Sequence, residues 1–195
     1  MRSDARAEAI IAEAKKLIPN KPIKYVVNTH AHFDHSGGLR AFVAEGATIV
    51  THESNRAYFE RILAAPHTLN PDKLAQAKKK PSFETMTDKK VLTDGVHTIE
   101  LYQQQGNFHA DGLIFAYLPK EKVLLEADSF NPPADPNFTT PAVINMNSVN
   151  LLDNIQRLKL DVQTFVPVHY PPDGRPIGMN ELYKFIGRNP ATSNE

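Results

Sequence analysis

Three histidines and an aspartate lie within six residues directly after a short apolar stretch. The stretch IKYVVN (23–28) is rich in β-branched residues, which predicts a buried strand. Alternate residues of extended backbone point the same way, so His30 and His32 can reach one point. A turn then lets Asp34 and His35 face a second point beside it. This spacing predicts half of a two-metal site, and the alternative is a polar loop with a capping aspartate.

One loop cannot complete two metal sites, so further ligands are expected after other strands. His109 lies in the loop QGNFHADG between two predicted strands. Asp128, in LLEADSF, and His169, in VPVHYPP, each follow an apolar strand directly. A histidine in such a place is usually exposed or hydrogen-bonded. Together with the first cluster, these three residues become the expected missing ligands.

The other polar side chains near strand ends have simpler interpretations. His52 follows the predicted strand ATIVT and is expected to be a helix-start or loop residue, with direct metal ligation as the alternative. His67 and His97 are interpreted as structural or surface residues. Tyr170, beside His169, is a candidate for binding substrate and stabilising an oxyanion, although a tyrosine there is more often only packed.

The order of predicted elements indicates the fold class. The first half alternates strands with helices, beginning with a helix over 4–18 whose apolar stripe would contain Ile10, Ala14, Leu17 and Ile18. The second half contains strand-like segments separated by turns at 90–95, 96–104, 112–118 and 122–128. This pattern predicts a layered α/β or α+β fold, with residues 1–195 as a single domain.

Composition excludes several classes of function. Lys+Arg and Asp+Glu number 22 each, so net charge gives no reason to expect nucleic acid or an anionic membrane as partner. The chain has no cysteine, and therefore no disulfide and no thiolate ligand. No apolar run reaches the length of a membrane span, and the N-terminus has no signal-peptide pattern. We expect a soluble protein, cytoplasmic by default and periplasmic if its parent is longer.

The H-x-H-x-D-H loop at 30–35 resembles that of the metallo-β-lactamase superfamily, and the order of the later ligands is similar to the family's from end to end. The resemblance implies an αββα sandwich. It implies that one metal is bound by His30, His32 and His109, a second by Asp34, His35 and His169, and that Asp128 bridges both. An aspartate at 128, where some β-lactamases use cysteine, is more like the glyoxalase II, lactonase and general hydrolase branches.

Members of that family usually carry several strands before the helix that begins here at Asp4. We therefore expect an N-terminally truncated sandwich with an incomplete first sheet. An uncovered sheet edge favours pairing with another chain, so a homodimer or higher homo-oligomer is expected. The alternative is that the sequence is a truncated piece of a larger parent.

The expected chemistry is hydrolysis by two divalent metal ions, zinc first, with iron or manganese as alternatives for a histidine and carboxylate donor set. A metal-bridging hydroxide would attack a lactam, lactone, ester or thioester carbonyl of a small-molecule substrate, and Asp34 would orient it and carry its proton. Three alternatives stay open: a non-catalytic metal-binding remnant of the fold, an iron-dependent redox or dioxygenase member, and an interaction domain with incidental histidines.

Overall fold

The computed structural model describes residues 3–190 and has the α+β composition that the sequence predicts. The chain divides into two compact units. Unit 1 runs to Thr87 and includes Ala110–Gly112, and unit 2 consists of Asp88–His109 and the residues from Leu113 onward. The assignment of residues 1–195 to a single domain stays a prediction.

Unit 1 contains a parallel sheet of three strands in the order β1-β2-β3. Its core is formed by apolar side chains of the sheet and helices, including Leu39, Ile49 and Phe59. The carboxyl ends of parallel strands lie at one edge of a sheet, so the residues after β1 and β2 emerge on the same side. In chain order the elements are α1 (Asp4–Leu17), β1 (Tyr25–Val27), α2 (Phe33–Ser36), α3 (Leu39–Glu45), β2 (Thr48–His52), α4 (Glu53–Leu63), α5 (Lys73–Ala77) and β3 (Phe83–Met86).

Two details of unit 1 differ from the sequence prediction. Helix α1 buries Ala7 and Ile11, whereas Ile10 and Leu17 of the predicted stripe are 45% and 71% exposed. Ala7 and Ile11 are four residues apart and so lie on one face of the helix. This face is rotated about the helix axis from the predicted stripe. Strand β3 was absent from the prediction, because its sequence FETM is too polar to read as a buried strand.

Unit 2 contains a sheet of five strands in the order β4-β5-β6-β7-β8, antiparallel except for the parallel pair β7–β8. Its core is aromatic and aliphatic and includes Phe115, Phe130, Leu151 and Phe165. The elements are β4 (Lys89–Thr93), β5 (Thr98–Gln103), β6 (Ile114–Leu118), β7 (Val123–Glu126), α6 (Met146–Arg157), β8 (Thr164–Pro167) and α7 (Met179–Phe185).

The register of unit 2 brings its polar strand ends to one edge. Glu126 of β7 is paired with Pro167 of β8, so Asp128 and His169 both lie two residues beyond the same pair. The β5–β6 connection that carries His109 leaves from the pair Gln103–Ile114, at the end of β6 nearest the carboxyl end of β7. The sheet therefore delivers all three predicted ligands of this unit to one place.

Among residues 3–190, no helix has the length and hydropathy required to cross a bilayer. The compartment and the homo-oligomer stay predictions.

Candidate metal centre

The histidine loop of unit 1 places its imidazoles against one another at the end of β1. His30 is completely buried, and its ring centroid lies 4.6 Å from that of His32 and 4.4 Å from that of His35. The hydroxyl of Thr29 lies 3.1 Å from Nδ1 of His30, which leaves Nε2 as the nitrogen directed away from that contact. These contacts bring the three imidazole rings of the loop together within unit 1.

Hydrogen bonds from neighbouring side chains hold this loop in its turn. The Asn28 side-chain amide, buried below the loop, donates to the carbonyl of His35 over 3.3 Å. The Ser36 hydroxyl donates to the carbonyl of His32 over 2.9 Å. The Thr51 hydroxyl donates to Oδ1 of Asn28, which ties the loop to strand β2. Backbone carbonyls that a sharp turn would leave unpaired are therefore satisfied locally.

Asp34 and His35 form the second predicted group of this loop. Oδ2 of Asp34 lies 3.1 Å from Nε2 of His35. The imidazole side chain is 3% exposed and the carboxylate 38% exposed, so the pair has one buried and one solvent-facing member. A carboxylate in that position can exchange a proton with water while its partner stays fixed.

In unit 2, the Asp128 carboxylate lies between two histidines. Oδ2 is 2.9 Å from Nε2 of His109, and Oδ1 is 2.8 Å from Nε2 of His169. Each carboxylate oxygen thus faces a different imidazole. The backbone of Asp128 is left-handed (φ 65°), a conformation that aspartate adopts more readily than most residues other than glycine.

A buried glutamate supports the loop that carries Asp128, and the sequence analysis did not identify it. Oε2 of Glu126 accepts the backbone N–H groups of Ser129 (3.0 Å) and Phe130 (3.2 Å). Complete burial raises the pKa of Glu126 to about 8, while those two N–H groups act in the opposite direction. The sequence feature that could have identified Glu126 is its position at the end of an apolar strand, directly before Ala127 and Asp128.

The remaining candidates have structural contacts. His52 begins α4 and accepts the backbone N–H of Ser54, as predicted for a helix-start residue. His67 lies 3.0 Å from Asp72, and His97 lies 3.2 Å from Asp94, both through Nδ1. The Tyr170 hydroxyl donates to the carbonyl of Arg175 over 2.7 Å, and its role with substrate stays a prediction.

The donor set fits a pair of divalent cations. Among residues 3–190, all seven predicted ligands belong to groups of side chains that could hold a metal ion. Imidazole nitrogens and carboxylate oxygens without any thiolate suit zinc, iron or manganese alike. The two carboxylates would neutralise part of the charge of two such ions.

Comparison with known proteins identifies the family. The sequence profile of the metallo-beta-lactamase superfamily matches residues 2–169, which span both units. No curated protein matches the sequence.

Solved structures are similar in fold at low sequence identity. A metallo-beta-lactamase from Pontibacter korlensis is 19% identical, with 95% of this chain and 77% of that chain covered and a TM-score of 0.66. A metallo-beta-lactamase from Hirschia baltica is 22% identical, with 96% and 78% covered and a TM-score of 0.62. A flavo-diiron protein variant from Thermotoga maritima is 14% identical, with 94% and 47% covered and a TM-score of 0.63.

At these identities the structural likeness establishes the fold alone, and it confirms the predicted metallo-β-lactamase fold class. The profile match covers residues 2–169, which is most of the chain, and is evidence of a sequence relationship as well as of a shared fold. On that evidence this chain belongs to the metallo-beta-lactamase superfamily.

Proposed function

We propose that this protein is a dinuclear metal-dependent hydrolase of small-molecule carbonyl substrates such as lactams, lactones, esters or thioesters. In this proposal His30, His32, His109 and Asp128 hold one cation, and Asp34, His35 and His169 hold the other. Asp128 would contact both cations. The observation that carries the proposal is the Asp128 carboxylate, whose two oxygens face the Nε2 atoms of two different histidines.

Two cations at such a centre lower the pKa of a shared water and polarise a carbonyl oxygen, which is the chemistry that hydrolysis requires. The protein side chains would hold the ligand geometry and transfer the proton. Buried His30 and His35 would keep their ring positions fixed, because they have little room to rotate. Oδ2 of the half-exposed Asp34 would accept a proton during attack and release it to the leaving group or to solvent.

Zinc is the first metal that we propose, and an iron-dependent redox function is the second candidate. The second candidate is favoured by a donor set of imidazoles and carboxylates with no cysteine, which suits iron as well as zinc. A flavo-diiron protein variant also shares the fold.

The test uses protein stripped with a chelator and reloaded with Zn²⁺, Mn²⁺ or Fe²⁺. Each form is assayed on a β-lactam, a lactone, an aryl ester and a thioester, with bound metal counted by elemental analysis. We expect two metal ions per chain and hydrolysis of at least one substrate class only after reloading. Two bound ions without turnover would indicate a non-catalytic remnant, and bound iron with oxygen consumption would indicate redox chemistry.

A matched pair of histidine variants controls this test. His169→Ala should reduce the metal content from two ions to one and abolish turnover, since it removes a proposed ligand. His97→Ala should leave both unchanged, because His97 is an exposed turn residue beside Asp94. Equal metal content and activity in the two variants would contradict the proposed site.

A further inference from the structure

Helix α6 carries a row of amide side chains on one face. Asn147, Asn150 and Asn154 recur at the three- and four-residue spacing that places them on one side of a helix. Asn154 is 3% exposed, although asparagine is an unfavourable residue inside helices because its side chain competes for backbone hydrogen bonds. This cost at the interior positions 150 and 154 indicates that the amides have a role beyond helix formation.

These amides bind the backbone of the β5–β6 connection. Oδ1 of Asn154 accepts the N–H of Gln105 (3.1 Å), and its Nδ2 donates to the carbonyl of Gln105 (2.9 Å). Nδ2 of Asn150 donates to the same carbonyl (2.9 Å). Oδ1 of Asn147 accepts the N–H of Phe108 (3.3 Å), the residue before His109. The ligand-bearing connection is thus fixed to the helix at Gln105 and at Phe108.

The connection is also fixed internally as far as the ligand itself. Nδ2 of Asn107 donates to the carbonyl of Gln104 (2.9 Å), and its Oδ1 accepts the N–H of His109 (3.0 Å). Gly106 is left-handed (φ 69°), and a Cβ there would lie 3.4 Å from Nδ2 of Asn150. The backbone therefore packs directly on the amide row.

Gln104 joins this connection to the loop that carries Asp128. Its side chain is almost completely buried; Nε2 donates to Oδ1 of Asn150 (2.9 Å), and Oε1 accepts the hydroxyl of Ser129 (2.7 Å). The Ser148 hydroxyl of α6 donates to the Ser129 carbonyl over 2.6 Å. One continuous set of uncharged hydrogen bonds thus links the residues beside His109 with the residue after Asp128.

We infer that Gln104 and Ser129, together with the amide face of α6, are positioning residues that set the geometry between His109 and Asp128. The inference rests on the proposed function in that it treats both side chains as metal ligands. Outer contacts that orient metal ligands commonly change metal affinity or activity by about 10- to 100-fold when removed.

The test compares Gln104→Met with Gln103→Met. The first variant keeps the side-chain length but removes both buried hydrogen bonds. Gln103 is the preceding residue of β5, on the opposite face of the strand, and takes no part in this set. Zn²⁺ affinity is measured by competition with a chromophoric chelator, and the visible absorption spectrum of the Co²⁺-loaded protein reports ligand geometry.

We expect Gln104→Met to weaken Zn²⁺ binding by about 10- to 100-fold and to alter the Co²⁺ spectrum, with Gln103→Met like wild type. Ser129→Ala, which removes one oxygen atom, should change Zn²⁺ affinity and the Co²⁺ spectrum in the same direction. It keeps the inference testable if Gln104→Met does not fold. Because both substitutions break the same hydrogen bond, the double variant should lose less affinity than the product of the single losses.

Failure of this inference differs from failure of the proposed function. If wild type binds two ions and hydrolyses substrate while Gln104→Met and Ser129→Ala match it in Zn²⁺ affinity and Co²⁺ spectrum, the positioning role is wrong and the function stands. If wild type binds none of Zn²⁺, Mn²⁺ and Fe²⁺, the proposed function itself is wrong.

Discussion

The two units present their proposed ligands in contrasting ways. In unit 1, four of them lie within six consecutive residues and are held by hydrogen bonds from near neighbours, such as Ser36 to His32. In unit 2, His109, Asp128 and His169 are far apart in sequence and meet because of strand register. Their supports are correspondingly long-range, with Gln104 bonded to residues 25 and 46 positions away. Ligands that are close in sequence can be held by hydrogen bonds from neighbouring residues. Ligands that are far apart in sequence need the sheet and a helix to hold them in place.

The strongest test of this contrast removes one carboxylate from each unit. Asp128→Asn should lower metal affinity by more than about 100-fold and empty both sites, since Asp128 faces two histidines and a direct ligand matters more than an outer contact. Asp34→Asn should lower metal content by one ion. Elemental analysis after dialysis gives the stoichiometry, with the exposed loop variant Asp135→Asn as control. Loss of only one ion from Asp128→Asn would show that it does not bridge.

The next test separates folding of unit 1 from metal binding. Asp72 accepts two hydrogen bonds from the buried Arg40 of α3, and these are the main reason that the pKa of Asp72 lies below its ordinary value of 3.8. Asp72→Asn should lower the free energy of unfolding at pH 7 by about 3 kcal/mol, because it leaves a buried guanidinium without its charged partner. Urea unfolding of the metal-free protein measures this loss.

The pH dependence of Asp72 has a defined sign. A carboxyl group whose pKa is lowered by folding contributes stability above its unfolded pKa and loses it as the pH falls through the folded value. Wild type should therefore lose stability below about pH 4 more steeply than Asp72→Asn. Asp153→Asn, which removes an exposed ion pair with Arg188, is the control and should leave the unfolding midpoint unchanged. Parallel acid profiles for wild type and Asp72→Asn would contradict this account.

The smallest expected effect concerns the local support of the histidine loop. Ser36→Ala removes the hydroxyl that bonds the His32 carbonyl and should cost about 1 kcal/mol, equivalent to about fivefold in Zn²⁺ affinity if the whole loss falls on binding. Chelator competition measures it, with the exposed Ser82→Ala as control. A loss as large as that of Gln104→Met would mean that the local loop depends on a single contact as strongly as the dispersed one.

The sequence alone gave the H-x-H-x-D-H loop, the three later ligand candidates and the α+β class, because each depends on local spacing or on the residue that follows an apolar strand. It also predicted His52 as a helix start, a role that depends on residues only two apart. It missed the buried face of α1, where apolar residues on neighbouring stripes compete and only packing selects Ala7 and Ile11.

Tertiary structure decided what the dispersed residues do together. The register of β7 with β8 places Asp128 level with His169, and no sequence pattern encodes which strands become neighbours. In the sequence, the asparagines of α6 look like ordinary polar helix residues. Only the structure shows that they bind the backbone of the β5–β6 connection. Local spacing is fixed by the covalent chain, but contacts between distant residues form only when burial of the core brings their strands and helices together.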